Sequence, residues 1–358
     1  MSKRIIDILR TASFCFSMLF ALWSCDVHEF PESKERVDIV LKLAYETEFM
    51  RWEHSYDGEN MNETAVGPKV ESVRENGYIR NIIKVYPVTQ KQRSMGECIE
   101  EYVVTRNIAD GYDCEIPITV PVGEYKVCVW SDMVANANAE PHYNADDFAV
   151  IHFNGDYRGN NDYRDAFRGT GELSVERDYT FRAPDTLNVA MQRPMAKLEF
   201  ITTDIVEFVE KEITRITRKN ASAGASQPSE VDKTRVNISD YMVRLSYNYM
   251  RDNYSFITDK PMYSVAGAHF DSYISALNSR EAVLGFDYAF VGTADTKVYV
   301  TISVFDAEGE MISSTNLMEV PLMRNRHTVM RGMFLMENAV GGVTIDPDYE
   351  GDHNLIFP

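Results

Sequence analysis

The chain has 358 residues and a formal net charge of −19. Its length allows one large domain or two medium domains, each able to bury a core of its own. Apolar residues make up 44% of the sequence, which is typical of a folded chain rather than a disordered one. A chain this acidic repels nucleic acid and anionic lipid headgroups, so nucleic-acid binding is excluded as a function.

The N-terminal segment has the three parts of a secretory signal. Lys3, Arg4 and Arg10 give a basic start, and a mostly apolar run at 11–23 follows. This run is too short to span a bilayer, which takes about 20 helical residues. A small residue before a boundary completes the pattern of a cleaved signal, and Ser24 is that residue.

The end of this segment, "LWSC" at 22–25, resembles the box of a bacterial lipoprotein signal. In that family the cysteine receives a diacylglycerol thioether and becomes the mature N-terminus. The resemblance implies a signal peptide at 1–24, cleavage between Ser24 and Cys25, and a palmitate-type lipid on Cys25 that holds the protein in the outer membrane. Trp23 is bulkier than usual for its position, and the alternative is a plain signal peptide with a chance cysteine.

Residues 25–36 are polar, acidic and broken by a proline, which predicts a tether. From Val37 onward the apolar residues alternate with polar ones, the period of a β-strand. We expect further strands at 78–88, 101–105, 116–120, 123–131, 148–153, 171–175 and 186–192. Short strands at this spacing predict an antiparallel β-sandwich over 37–192.

A second series of strands predicts another β-sandwich over 193–340, followed by a turn-rich tail at 341–358. We expect its strands at 193–203, 234–250, 284–291, 297–306, 318–323 and 326–335. Residues 204–217 break the alternation, because their apolar side chains recur every three or four positions. That period predicts one short amphipathic helix.

Several motifs resemble the fimbrillin-type surface lipoproteins of Bacteroides-like bacteria, which include minor fimbrial anchor subunits. The motifs are "VPVGEYKVCVWSDM" at 120–133, "NNDYRDAFRGTGELSV" at 160–175, "MQRPMAKLEFITTD" at 191–204, "VPLMRNRHTVMRGMFL" at 320–335 and "GGVTIDPDYEGD" at 341–352. The resemblance covers essentially the whole mature chain. It implies an all-β fold of two tandem transthyretin-like antiparallel β-sandwich domains with few short helices.

The same resemblance implies a surface-exposed outer-membrane lipoprotein. It would act as a fimbrial anchor, assembly or adhesion component through protein–protein contacts made by β-strands. Its partners would be other fimbrial subunits, or ligands on host or bacterial surfaces. Stalk-forming members are cut after an arginine, for which Arg36 and Arg51 are the candidates here. The tail from Gly341 is either an exchanged strand or packs on its own domain.

No catalytic motif is found, so we expect neither an enzyme nor a cofactor. The loop at 155–165 is rich in oxygen ligands, but Arg158 interrupts calcium-loop spacing. His142 and His152 alone are too few for zinc. We therefore expect no metal site.

Two further sets of residues are singled out by the sequence. Cys98 and Cys114 either form a disulfide or, like Cys128, are small core residues. "DTL" at 185–187 resembles a short O-glycosylation acceptor pattern through Thr186. The alternative function is a surface glycan- or ligand-binding lipoprotein without enzymatic activity, and a hydrolase is the weakest alternative.

Overall fold

The computed structural model describes residues 35–57, 61–71, 76–88, 97–176, 185–222, 236–294 and 296–336. The predicted signal peptide, the cleavage site between Ser24 and Cys25, and the tail from 341 lie outside these residues. In the described part of the chain, no helix is both long and apolar enough to cross a membrane.

β-Strands carry the fold. In the first half they are β1 Arg36–Tyr45, β2 Glu48–Tyr56, β3 Met61–Glu71, β4 Tyr78–Pro87, β5 Glu100–Asn107, β6 Cys114–Pro121, β7 Gly123–Val134, β8 Tyr143–Asn144, β9 Ile151–Phe153, β10 Ala166–Val175, β11 Asp185–Met191 and β12 Met195–Thr202. In the second half they are β13 Met242–Tyr247, β14 Tyr249–Met250, β15 Asn253–Ser255, β16 Lys260–Met262, β17 Val265–Ala266, β18 His269–Tyr273, β19 Ser275–Ala276, β20 Ala282–Phe290, β21 Thr296–Phe305, β22 Met311–Ser314, β23 Met318–Leu322 and β24 Arg326–Gly332. The helix α1 is Ile205–Ser222, and single 3₁₀ turns lie at Ile108–Asp110, Asp162–Arg164 and Ile238–Asp240.

The first sandwich consists of a three-stranded sheet, β11-β1-β6, facing a four-stranded sheet, β10-β7-β4-β5. The alternation seen in the sequence places every second side chain between the two sheets. Buried examples from five of these strands are Ile39, Leu41, Ile83, Val85, Ile118, Val127, Val129 and Val189. This core is separate from that of the second half of the chain.

The second sandwich pairs a six-stranded sheet, β19-β20-β12-β24-β2-β3, with a sheet of β18-β13-β21-β22, in which β23 also pairs with β21. Its core contains the alternating residues of the "AKLEF" motif, Ala196, Leu198 and Phe200. In each sandwich an earlier strand pairs in parallel with the last one, β1 with β11 and β12 with β24. This shared feature indicates that the two halves have the same design.

The predicted all-β fold of two sandwiches is confirmed. The predicted helix is also found, and α1 continues beyond residue 217 to Ser222. The predicted strand at 148–153 is wrong in its first half, because only Ile151–Phe153 is extended. The domain boundaries at 37–192 and 193–340 stay predictions.

One feature of the topology was not predicted. Strands β2 and β3 come from the first part of the chain but lie in the six-stranded sheet of the second sandwich. β2 pairs in parallel with β24, with Trp52 opposite Thr328. The chain therefore passes from the first sandwich to the second within Glu46–Thr47, and returns at β4.

A layer of aromatic side chains fills the space between the two sandwiches. Trp130 of β7, Tyr143 of β8, Tyr254 of β15 and Phe290 of β20 are all fully buried there, with ring centroids 5.4–6.5 Å apart for the pairs in contact. Rings at such separations add to the stabilisation that burial alone provides. The layer joins the sandwiches into one continuous packed structure.

Candidate functional site

The first sandwich is closed on one side and open on the other. On the closed side, a backbone bridge between Arg168 and Gln192 links β10 to the end of β11. On the open side lie β5 and β6, and neither has a backbone partner on its outer edge among the described residues. Because such an edge presents unpaired N–H and C=O groups, it is a template for an added strand.

Of the described strands with eight or more residues, β3, β5 and β6 pair on one side only, and β10 has just the Arg168–Gln192 bridge on its outer side. β6 carries Pro117 and Pro121, and β3 carries Pro68 and two register shifts. Proline and bulges protect an edge, because they interrupt the row of hydrogen-bonding groups. β5 has neither, and its eight residues pair with β4 in an unbroken register. Among the described long strands, β5 is therefore an edge without a proline, a bulge or a bridging backbone bond on its outer side.

The side chains of β5 alternate between the core and solvent. Tyr102 and Val104 pack against the core of the first sandwich, whereas Val103 points outward and is 56% exposed. Val88 and Ile99, at 52% and 41%, lie at the neighbouring ends of β4 and β5. An apolar, β-branched surface beside an unpaired edge suits a partner strand, which would bury it.

The open side is spanned by side chains instead of backbone bonds. Arg36 of β1 donates to the Glu100 carboxylate of β5 and to the Thr119 carbonyl of β6, both at 2.7 Å. The Tyr102 hydroxyl donates to the same carbonyl at 2.6 Å. The hydrogen bond and charge of Glu100 raise the pKa of Arg36. Arginine is charged at physiological pH, and the two hydrogen bonds of Arg36 tie the two edge strands together.

Both ends of β5 are fixed. At its start, the Ile99 amide donates to the Val85 carbonyl at 2.9 Å. At its end, the Asn107 side chain accepts from the Ala109 amide at 2.9 Å and caps the following 3₁₀ turn, which ends at Gly111 with a φ of 93°. Glycine adopts this left-handed conformation readily. The edge is therefore held rigidly in an extended form.

A second group of residues anchors the chain where it crosses between sandwiches. Arg193 is fully buried and pairs with the carboxylate of Asp165 at 2.9 Å. It also donates to the carbonyls of Glu46 and Thr47, both at 2.8 Å. The Arg193 guanidinium carbon lies 3.9 Å from the centroid of the Phe49 ring. We call Arg193 and these partners the crossover clamp, and it fixes the β1–β2 connection.

A buried ion pair between Arg164 and Asp287 joins the loop before β10 to β20. The Arg164 guanidinium lies 4.5 Å from the ring centroids of both Phe153 and Tyr157. The Tyr247 hydroxyl donates to Asp287 at 2.8 Å. Sequence reasoning missed Arg164 and Arg193, because no local signal distinguishes a buried arginine from an exposed one when its partners lie far along the chain.

The structure places the predicted site residues as follows. Thr186 is exposed on β11, opposite Val40 of β1, so O-glycosylation there stays a prediction. Arg36 lies at the start of β1, whereas Arg51 lies within β2, between β24 and β3. A cut at Arg51 would sever a strand paired on both sides. The lipidation site Cys25 is outside the described residues.

The three described cysteines, Cys98, Cys114 and Cys128, are free. Cys98 precedes β5 and is exposed, whereas Cys114 begins β6 and lies beside Arg106, near the other end of β5. A strand of eight residues spans about 26 Å, so these thiols are too far apart for a disulfide. Cys128 is buried, as predicted.

In the oxygen-rich loop at 155–165, several of the side chains considered as calcium ligands instead bond to other parts of the protein. Asp162 pairs with Lys197 at 2.9 Å, and Asp165 belongs to the crossover clamp. Asn160 donates to Ser272, and Asn161 caps a 3₁₀ turn. In the part of the chain that the structure describes, no group of three or more His, Cys, Asp or Glu side chains could hold a metal.

Comparison with known families gives one match, over residues 35–358, to a family of unknown function. The chain belongs to family DUF6562. No curated protein matches it.

The DUF6562 chain is also similar to several solved structures. A protein assigned as an adhesin from Bacteroides ovatus is 13% identical, with a TM-score of 0.41 over 87% of this chain and 94% of that one. The fimbrial anchor protein Mfa2 from Porphyromonas gingivalis is 11% identical, with a TM-score of 0.36 over 78% and 82%. The tip fimbrial protein Mfa3 from the same organism is 10% identical, with a TM-score of 0.36 over 80% and 81%.

Proposed function

We propose that this DUF6562 chain is a surface-exposed outer-membrane lipoprotein that acts in fimbrial anchoring, assembly or adhesion. In this proposal a lipid on Cys25 holds the mature chain to the membrane, and the residues between Cys25 and β1 serve as the tether. The partner is another fimbrial subunit, which contributes an extended strand. No catalytic step is involved.

One observation carries the proposal: the unprotected edge of β5. Strand addition supplies a full ladder of backbone hydrogen bonds, and alternate side chains of the added strand meet pockets or apolar surface on the acceptor. At β5 the register is unbroken, both ends are fixed and Val103 is exposed. A preformed edge of this kind costs little ordering entropy on binding.

Arg36 gives the proposal a further physical basis. Its side chain bridges β5 and β6 across the open side of the sandwich. A cut after Arg36 would remove this bridge while leaving β1 from Val37 onward in place. A chain that is not cut would keep the bridge and accept a strand only at the outer edge of β5.

Lipid anchoring is tested by labelling the source bacterium with a radioactive fatty acid. The wild-type chain should take up label and be accessible to protease on intact cells, because acyl chains hold a protein stably at a membrane. The Cys25→Ala variant should take up none. Label that persists in this variant would remove the anchoring part of the proposal.

The β5 edge is tested separately with Val103→Lys. Lysine on an edge strand opposes strand addition, and Val103 is exposed enough for the fold to tolerate the change. Immunogold labelling should show the wild-type chain at filaments and the variant dissociated from them. Val265→Lys, at another exposed valine on β17, is the matched control and should behave as wild type. Filament association unchanged by Val103→Lys would contradict the role of β5.

A further inference from the structure

The sheet β18-β13-β21-β22 of the second sandwich has one face on the core and one on solvent. Val243, Val300 and Val304 face the core, so their sequence neighbours face outward. The register then aligns four outward residues in one line across four strands. This line, the apolar row, is Tyr273 of β18, Met242 of β13, Phe305 of β21 and Met311 of β22.

The apolar row is accessible. Tyr273 is 64% exposed and Met311 53% exposed, while Met242 and Phe305 between them are partly exposed. Apolar side chains scattered singly on a surface need no explanation, but here the register joins them into a stripe. Tyr273 and Phe305 are on strands separated by β13, so their backbones are about 9.6 Å apart at two strand spacings.

A polar row runs beside the apolar one, two residues along β18, β13 and β21 and three along β22, where the register shifts. It contains Asp271 of β18, Arg244 of β13, Ser303 of β21 and Ser314 of β22. Asp271 holds Arg244 through two hydrogen bonds of 2.8 and 3.0 Å, and the Ser303 and Ser314 hydroxyls are 3.1 Å apart. Further along the same face, Lys297 pairs with Glu319 at 2.8 Å.

The charges of this face cancel locally, although the whole chain carries −19. Arg244 is balanced by Asp271 and Lys297 by Glu319. An anionic ligand would meet the repulsion of the chain without a compensating cationic patch. A neutral ligand has no such penalty, and it can use aromatic faces together with hydroxyl and guanidinium hydrogen bonds.

We propose that this face is a binding platform for a neutral glycan chain lying across the strands. Tyr273 would stack on one sugar ring, and Phe305 would contact an alternate ring together with Arg244, whose guanidinium carbon lies 5.5 Å from the Phe305 ring centroid. Two strand spacings are close to the repeat of two pyranose rings in an extended chain. Met242 fills the space between the two aromatic rings. The polar row would meet the hydroxyl groups along one side of the glycan.

The surface is distinct from the β5 edge, which lies on the other sandwich. Binding of a glycan here does not depend on strand addition there. The variants that test one surface leave the other intact, so either proposal can fail alone.

The test is calorimetric titration of the mature chain with three neutral hexasaccharides: cellohexaose, mannohexaose and xylohexaose. At least one should bind, and a heparin hexasaccharide should not. Tyr273→Ala and Phe305→Ala should each weaken binding roughly three- to tenfold, the range expected for loss of one ring contact. Tyr273→Phe keeps the ring and should bind as wild type.

Tyr263→Ala is the matched control, since Tyr263 is also 64% exposed but lies on the β16–β17 loop. It should leave affinity unchanged, and circular dichroism should show that every variant is folded. The proposal is overturned if none of the three neutral hexasaccharides binds at millimolar concentration, or if Tyr273→Ala and Tyr263→Ala weaken binding equally. It is also overturned if sedimentation shows self-association that Tyr273→Ala abolishes, because the face would then be a protein interface.

Discussion

Replacing Arg193 with methionine should destabilise the protein far more than replacing an exposed cation. The side chain is fully buried and supports the crossover between the sandwiches through Asp165 and two backbone carbonyls. Methionine keeps much of the stem but removes every donor. The Asp165 carboxylate would then be buried without its counter-charge.

The magnitude follows from the contacts. Removing one partner of a buried ion pair costs about 3–5 kcal/mol, and each carbonyl left without a donor adds about 1 kcal/mol or more. With two carbonyls, a total of at least ~5 kcal/mol is expected, which lowers the melting temperature by about 10 °C or more. This is a large part of the stability of a typical domain.

The effect should also depend on pH. Burial raises the pKa of Asp165, and Arg193 opposes that rise. Without Arg193 the pKa of Asp165 in the folded state rises further above its value in the unfolded state. Below the unfolded-state pKa, Asp165 is neutral in both states and does not destabilise the variant. As the pH rises through the folded-state pKa, the free energy of unfolding of the variant falls. The destabilisation should therefore be smaller at pH 5 than at pH 8.

The melting temperature and the free energy of unfolding in urea are measured at pH 5 and pH 8 for the wild type, Arg193→Met and a control variant. Lys42→Met is the control, because Lys42 pairs with Glu115 on the surface and such pairs contribute about 0.2–1 kcal/mol. The double variant Arg193→Met/Asp165→Asn should regain part of the loss and lose the pH dependence. If Arg193→Met costs no more than Lys42→Met, the crossover clamp is not an anchor and the reasoning fails.

Three further outcomes are expected. Gly169→Ala should destabilise the first sandwich, because a Cβ there would lie 2.5 Å from side-chain atoms of β11, whereas Gly292→Ala meets nothing closer than 3.8 Å; equal melting temperatures would contradict this. Burial lowers the pKa of His54, so the unfolded state binds its proton more readily and stability should fall from pH 7.5 to 5.5, a fall that His54→Gln should reduce. Iodoacetamide should label exposed Cys98 in the native protein and spare Cys128, whose thiol pKa burial raises to about 12; early labelling at Cys128 would refute its burial.

Much of the fold is predictable from the alternation of apolar and polar residues along the sequence. The alternation at Val37 and at Ala196 correctly placed β1 and β12, and the three- to four-residue period after 204 correctly placed α1. Each of these elements buries one face against a core, and the spacing of apolar residues predicts secondary structure best under that condition. Their partners could not be predicted, because pairing joins residues far apart in the sequence.

β2 and β3 were missed for a related reason. β2 has polar or charged residues on its outer face, including Arg51 and Glu53, and its inner face carries Trp52 and His54 in place of a plain aliphatic series. Its place in the sheet depends on β24, far along the chain. The candidate edge at β5 is a similar case, since the sequence predicts a strand but not which of its sides is left unpaired.

The passage of the chain from β1 to β2 constrains the order in which the molecule can form. The hairpin β2–β3 lies early in the sequence, at Glu48–Glu71, whereas its partner strand β24 lies late, at Arg326–Gly332. Bringing β2 and β24 together costs loop-closure entropy, and the contacts that offset this cost form only after the strands have met. Pairing between residues so far apart in the sequence slows folding. The first sandwich can therefore assemble while β2 still lacks its partner β24, and the second is completed only when β24 pairs with β2. Truncation before β24 would leave that hairpin without a sheet, so the two halves cannot be separated by a single cut at their apparent boundary.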